Sequence, residues 1–210
     1  MTFQLAPTSF NGKFSRANYV HPLHDPSGDI VTEDFPKDHR HHRGIFWAWH
    51  QLLLNGKPTS DPWACRGIEW KVPETEGDWA QTHADARSAT MRVVRDWVVA
   101  NPNTSNPAAT SPDSADHSLR LARETVGITV WPSTPNVRIL DFDLRLRALK
   151  EGVSIGGSDD VKGYGGFSPR VKLASDVKFV GRKGEVTPQR LAAVEGGPWI
   201  DVVGTFDGKL

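Results

Sequence analysis

The sequence predicts an all-β fold, an antiparallel β-sandwich with little helix. Several stretches alternate between apolar and polar residues with a period of two, as strands do when one face is buried and the other is solvated. No stretch carries a sustained apolar stripe with the periodicity of a helix. The 19 glycines and 15 prolines are typical of many short strands joined by turns.

The individual strands follow from this alternation. It predicts shorter strands at residues 67–72, 89–99 and 170–180, and long strands at residues 119–131 and 137–149. In the last segment the apolar face holds Leu140, Phe142, Leu144, Leu146 and Ala148, and the charged face holds Asp141, Asp143, Arg145 and Arg147. The apolar face is expected to be buried, and opposite charges on the wet face can pair across strands.

The domain organisation depends on residues 101–117, which are rich in Asn, Pro and Ser and have no periodic apolar residues. This composition predicts a long exposed loop. The loop could link two domains, but strand-like segments flank it on both sides. We therefore expect one β-sandwich domain over residues 1–210, with the loop inserted between two of its strands.

The composition excludes several classes of function. Lys and Arg number 25 and Asp and Glu also number 25, so no general field favours nucleic acid or an anionic membrane as partner. No run approaches the roughly 18 apolar residues that a membrane-spanning helix needs. The start of the chain lacks the features of a signal peptide, which predicts a cytoplasmic protein. Cys65 is the single cysteine and has no disulfide partner within the chain.

The densest polar segment is FPKDHRHHRGIFWAWH, residues 35–50, in a chain that has six of its eight histidines among the first fifty residues. If residues 38–42 are extended, His39 and His41 point to one face and Asp38 and His42 to the other. An imidazole pair on one face could hold a divalent metal, although the cofactor is otherwise unknown. The candidates for a third ligand are His50, Asp38, Glu69 and Glu33.

The same residues could act without a metal. Imidazoles titrate near pH 6.5 and serve as acid and base, and Arg43 would stabilise a developing anion. Trp47 and Trp49 share one strand face and could stack on the apolar side of a sugar ring. A polar loop followed by a strand with two core tryptophans would have the same composition, so a purely structural role is the alternative.

The glycine-rich segment GYGGFSPR, residues 163–170, lacks the features of a phosphate-binding loop, because it has no GKS or GKT sequence and Pro169 interrupts the segment where a helix would follow. Its glycines predict a tight bend, beside which Tyr164 and Arg170 could line a pocket. HExxH does not occur, so a zinc-peptidase helix is disfavoured.

Four segments carry a resemblance to a known family. They are residues 21–52 with the core DHRHHRG, then NGKPTSDPW, GYGGFSPRV and PWIDVVGTFDGK. In this order they resemble the PmoA-like family of uncharacterised proteins labelled "methane oxygenase". Methane oxidation is rejected, because a membrane monooxygenase subunit needs several spanning helices.

The resemblance implies a sandwich similar to the galactose mutarotase-like supersandwich and a role in carbohydrate metabolism. Its characteristic polar residues correspond to Asp38, His39, His41, His42 and Arg43, with Tyr164 and Arg170. Members of the family usually continue with further strands after the DGK segment. The resemblance therefore implies that this chain lacks the C-terminal strands of the family and has an open sheet edge.

These observations lead to one functional hypothesis and one rival. We expect an epimerase-like, mutarotase-like or glycoside-processing enzyme whose partner is a small molecule, a carbohydrate. The catalytic candidates are His39, His41, His42, Arg43 and Asp38, the substrate-binding candidates are Trp47, Trp49, His50, Tyr164 and Arg170, and the metal candidates are His39 and His41. The rival is a carbohydrate-binding or interaction module without catalytic activity.

Overall fold

A computed structural model describes residues 1–75, 77–100, 118–189 and 192–205. Over these ranges the chain forms strands and turns and no helix, so it contains no helix long and apolar enough to cross a membrane. The strands are β1 (Phe3–Gln4), β2 (Thr8–Phe10), β3 (Lys13–Arg16), β4 (Tyr19–Val20), β5 (Ile45–Trp49), β6 (Gln51–Leu54), β7 (Lys57–Ser60), β8 (Glu69–Lys71), β9 (Ala80–Ala84), β10 (Ala89–Ala100), β11 (Ser118–Val130), β12 (Leu140–Ala148), β13 (Val153–Gly156), β14 (Gly165–Pro169), β15 (Lys178–Gly181), β16 (Gly184–Glu185) and β17 (Ile200–Val203).

Two sheets dominate the fold. The larger sheet has the order β12-β11-β10-β8, with β9 also paired to β10, and the second has the order β1-β4-β5-β14. Three smaller sheets, β13-β6-β7, β16-β15-β17 and β2-β3, complete the described strands. The named strand pairs are antiparallel, and the predicted all-β antiparallel class is confirmed.

One core cluster lies where the two large sheets face each other. Val20, Ile45 and Trp47 of the second sheet pack against Val126 and Ile128 of the larger sheet, and all five are buried. Burial of side chains of this size stabilises the fold by about 1.5–3 kcal/mol each. This face-to-face packing is the predicted β-sandwich. Its relation to the galactose mutarotase-like supersandwich stays a prediction.

A buried carboxyl group links the two sheets inside the core. Glu124 of β11 accepts hydrogen bonds from the Trp97 indole at 2.6 Å and from the Asn18 amide at 2.9 Å. Burial raises the pKa of Glu124, and the hydrogen bonds from Trp97 only partly oppose this effect. The carboxyl group thereby fixes β10 and β11 relative to the start of β4.

Most predicted strands occur close to their expected positions. The segments predicted at 89–99, 119–131 and 137–149 form β10, β11 and β12, whereas the segment at 67–72 contributes only Glu69–Lys71. The predicted strand at 170–180 is wrong over most of its length. After Arg170 the chain leaves the sheet and turns, with the Val177 amide donating to the Ala174 carbonyl at 3.2 Å. The predicted loop at 101–117 lies outside the described residues.

The alternation predicted for β12 is present, but its apolar face is only half-buried. Leu140, Phe142, Leu144 and Leu146 are intermediate in exposure, and the charged residues between them are exposed. Phe142 contacts Phe167 of β14 with ring centroids 5.2 Å apart. β12 and β14 therefore lie at the same side of the sandwich, where the core is least covered.

Candidate functional site

The polar segment before β5 is a tight turn that gathers three imidazole rings. The His42 amide donates to the His39 carbonyl at 2.9 Å, so residues 38–42 are not extended and the predicted separation of their side chains onto two faces is wrong. The His39 and His42 rings stack with centroids 4.8 Å apart. The His41 ring meets them edge-on, 4.6 Å from His42 and 5.8 Å from His39. We call residues 38–42 the histidine turn.

The residue after this turn, Arg43, is fully buried beneath it. Its guanidinium group is 0% exposed and donates to the Asp34 carboxylate, the Tyr19 hydroxyl and the Thr8 hydroxyl. It also donates to the carbonyls of Thr8 at 3.0 Å and Phe14 at 2.9 Å. A substrate cannot reach this group. The prediction that Arg43 stabilises a substrate anion is therefore wrong, and the residue instead anchors the turn to the core.

The first polar pair of the site joins His39 to Asp38. Nδ1 of His39 lies 3.0 Å from the Asp38 carboxylate, which also accepts from Arg170 at 2.9 Å. His39, and after it Arg170, hold the pKa of Asp38 well below its usual range. Arg170 in turn donates to Glu33 at 2.8 Å. Because Nδ1 is engaged, Nε2 is the nitrogen that His39 can present to a ligand.

A second pair of the same kind joins His50 to Asp61. Nδ1 of His50 lies 3.1 Å from the Asp61 carboxylate. Burial acts to raise the pKa of Asp61, but hydrogen bonds from the Ala64 amide, Arg66 and His50 outweigh burial and lower it. The carboxylate is thus ionised near neutral pH and orients the ring. As with His39, the pairing leaves Nε2 of His50 for a ligand.

Aromatic rings connect the two pairs. The Trp63 ring lies 5.7 Å from His42 and 5.6 Å from His50, so it sits between the histidine turn and the second pair. Tyr164 lies parallel to Trp63, with an interplanar angle of 5° and centroids 5.5 Å apart. Trp63 is 6% exposed and Tyr164 is 44% exposed. We call His50, Trp63 and Tyr164 the aromatic shelf.

A buried arginine supports the shelf from below. Arg16 donates to the carbonyls of Pro62 at 2.6 Å and Trp63 at 3.1 Å, and its guanidinium group lies over the Phe46 ring. Only 1% of Arg16 is exposed. These contacts hold the backbone of the shelf rigidly, and they add positive charge beneath it.

The two remaining rings of the turn are uncharged near neutral pH. Burial, and after it the charge of His39, lowers the pKa of His41 to about 4. Burial, followed by the charges of His41 and His39, lowers the pKa of His42 to about 3. Neutral imidazoles accept and donate hydrogen bonds, as a ligand rich in hydroxyl groups requires.

The predicted tryptophan platform lies on the wrong face of β5. Trp47 is 4% exposed and packs in the core, and Trp49 is half-buried against Trp97 with centroids 6.2 Å apart. Side chains alternate along a strand, so Phe46 faces the site instead and packs on Trp63. The prediction that Trp47 and Trp49 stack on substrate is therefore wrong for Trp47, and Trp49 contributes to the core.

Two residues of the site were absent from the sequence-based predictions. Asp61 and Trp63 both belong to the SDPW motif that supported the family resemblance. Asp61 initiates a turn there, because its carboxylate accepts from the Ala64 amide at 2.9 Å. The Asp-Pro-Trp sequence, which follows the histidine-rich segment along the chain, was the signal from which Asp61 and Trp63 could have been predicted as site residues.

The predicted metal site has no third ligand in the described part of the chain. No three His, Cys, Asp or Glu side chains are grouped there so as to hold a metal ion. The proposed third ligands have other partners, since Glu33 pairs with Arg170, and Glu69 lies on β8 beside Lys71. The metal role of His39 and His41 stays a prediction.

A cavity with a volume of about 730 Å³ lies elsewhere, on the five-stranded sheet. Its lining includes Thr90, Gly127 and Asp143 but no residue of the histidine turn or the aromatic shelf. It contains one imidazole, His83, with Asp141 and Asp143, whereas the histidine turn gathers three imidazole rings in mutual contact, so the chemistry favours the histidine turn as the functional site.

Comparisons with known proteins identify a family but no activity. The family of unknown function DUF6807 matches residues 1–210. No curated protein and no solved structure matches the chain. The family match does not test the resemblance to PmoA-like proteins, which stays a prediction.

Proposed function

Since the chain belongs to the DUF6807 family of unknown function, we propose from its site alone that it is a carbohydrate-directed acid–base enzyme of the epimerase or mutarotase type. The observation that carries the proposal is the pair of His–Asp couples, His39–Asp38 and His50–Asp61, which the stacked His42 ring and the Trp63 ring connect. A carboxylate at Nδ1 fixes the tautomer and the orientation of each ring.

The proposed chemistry is proton transfer at two points of one sugar ring. In the interconversion of anomers, a base removes the proton of the anomeric hydroxyl group while an acid protonates the ring oxygen. The ring opens, and the reverse transfers close it as the other anomer. His39 and His50 serve as the two groups, and Asp38 and Asp61 are their positioning residues. In a glycoside-processing enzyme, one of these rings would protonate the glycosidic oxygen of the leaving group, and the other would take a proton from the water that attacks the anomeric carbon.

Binding would depend on the aromatic shelf and the neutral imidazoles. The exposed Tyr164 ring supplies an apolar surface for the face of a sugar, and His41 and His42 supply hydrogen bonds to hydroxyl groups. Arg170 acts indirectly, because its contacts are to Glu33 and Asp38. An uncharged ligand also suits the balanced charge of the chain.

The test is the rate of anomer interconversion of α-D-glucose and α-D-galactose, followed by polarimetry. His39→Ala and His50→Ala should each lower the catalysed rate by roughly 10²–10⁴-fold, as expected for the loss of a general acid or base. His83→Ala is the matched control, since His83 lies on β9 outside the site. Equal thermal midpoints in all variants would exclude unfolding as the cause.

A second candidate is a binding module without catalysis, which the exposed, parallel Tyr164 ring on Trp63 favours. Saturation-transfer NMR with the same two sugars separates the candidates. Binding lost in Tyr164→Ala, with no rate acceleration by the wild-type protein, would support the module. The absence of both binding and acceleration would refute both candidates.

A further inference from the structure

The outer edge of β12 has no partner strand among the described residues. β12 pairs with β11 over nine consecutive residues without a bulge, from Leu140 opposite Val130 to Ala148 opposite Ala122. β12 is the last strand of the larger sheet on that side. A long, regular edge strand without proline or bulge is a template for pairing with another strand.

The backbone groups along this edge belong to the even-numbered residues. The Leu149 amide donates to Leu121 of β11, and the Ile139 carbonyl accepts from Trp131. Odd-numbered residues therefore direct their amide and carbonyl groups toward β11, because this direction alternates along a strand. Phe142, Leu144 and Leu146 direct theirs toward the open edge.

The side chains of β12 are self-complementary about its middle residue. If a second copy lies antiparallel with Leu144 opposite Leu144, Asp143 faces Arg145 and Asp141 faces Arg147 on the wet face of the sheet. On the other face, Phe142 lies opposite Leu146. The charged residues occupy the non-hydrogen-bonded positions, where opposing side chains approach most closely.

The other possible registers lack this match. A shift by two residues in either direction places at least one pair of like charges in opposition or leaves charged residues without a counterpart. A shift by one residue would oppose charged to apolar side chains. Pairing would also bury more apolar surface, since Leu144 and Phe142 are only half-buried in the single chain.

We propose that two copies of this chain associate through β12 about a two-fold axis at Leu144, which makes the larger sheet continuous across both copies. This inference is independent of the proposed enzymatic function, because the histidine turn contributes nothing to the β12 edge. The symmetric arrangement is self-limiting, since the contact uses the same edge of both copies.

The first test is sedimentation of the full chain over about a hundredfold range of concentration. A concentration-dependent dimer is expected, and a monomer throughout would overturn the proposal. Asp143→Arg places two arginines opposite each other at both symmetry-related positions, and should weaken dimerisation by roughly tenfold. Arg145→Asp places two aspartates there and should weaken it similarly. Arg66→Asp is a control of equal charge change away from the edge.

The decisive experiment mixes the two weakened variants. An Asp143→Arg copy facing an Arg145→Asp copy regains both opposite-charge pairs, so the mixture should form a heterodimer of wild-type strength. The double variant carrying both substitutions should also dimerise normally. Two results would show that another surface mediates association. One is dimerisation that the single substitutions do not weaken, and the other is a mixture that stays monomeric although circular dichroism shows both variants to be folded.

Discussion

Replacement of Arg43 by methionine should destabilise the protein strongly, although the residue lies beside the proposed active site. The guanidinium group is fully buried and donates to Asp34, Tyr19 and Thr8. Methionine keeps most of the side-chain volume but leaves the Asp34 carboxylate without its counter-charge. Breaking one partner of a buried pair costs about 3–5 kcal/mol. For a chain of this length, that loss lowers the thermal midpoint by roughly 6–20 °C.

The assay is urea denaturation followed by tryptophan fluorescence, and two variants make it diagnostic. Arg66→Met removes an ion pair to Asp61 from a side chain that is 74% exposed, and it should cost at most about 1 kcal/mol. The double variant Arg43→Met with Asp34→Leu removes both charges and should be more stable than Arg43→Met alone. A loss below about 1 kcal/mol for Arg43→Met would refute the anchoring role.

Two further predictions concern stability at the histidine turn. Because the pKa values of His41 and His42 in the folded protein, about 4 and about 3, lie below the ordinary 6.5, the unfolded chain binds protons first as the pH falls. Unfolding free energy should therefore decrease from about pH 6.5 to about pH 3, and the double variant His41→Asn, His42→Asn should flatten this slope in urea titrations; an unchanged slope would contradict the neutral state of both rings. Gly44→Ala should abolish stable folding, because a Cβ atom would lie 2.0 Å from the Val20 carbonyl oxygen at a φ of +50°. Gly12→Ala, at a φ of +72° with nothing within 4 Å, should cost only about 1–2 kcal/mol by the same measurement, and equal losses would contradict the steric argument.

Local sequence patterns were sufficient to predict most of the larger sheet. β12 alternates over all nine of its residues and β11 over most of its length, whereas β10 alternates less regularly because its middle is buried on both faces. The prediction of a strand at 170–180 was wrong because the alternation there is short. The path of the chain is instead determined by contacts of Arg170 with residues distant in the sequence. Glu33, for example, lies 137 positions away in the sequence.

The candidate site was predictable in composition but not in geometry. The sequence identified Asp38, His39, His41 and His42 as a cluster, and the structure brings them together. It could not show which face of β5 points inward. Trp47 was therefore predicted to bind substrate, whereas Trp47 lies in the core and Trp63 is the tryptophan in the site. Nor could it show that Arg43 turns into the core, because this depends on Asp34 and Tyr19 meeting it there.

The position of β14 at the edge of its sheet has a kinetic consequence. This strand pairs only with β5 in the sheet order, and Tyr164 and Arg170 are the residues that flank it on either side. One covers Trp63, and the other holds Asp38. Detachment of this single strand would uncover the Trp63 ring and release the Asp38 carboxylate from Arg170 at the same time. The rate at which β14 opens would therefore set both the access of a ligand to the site and the change of charge pairing within it.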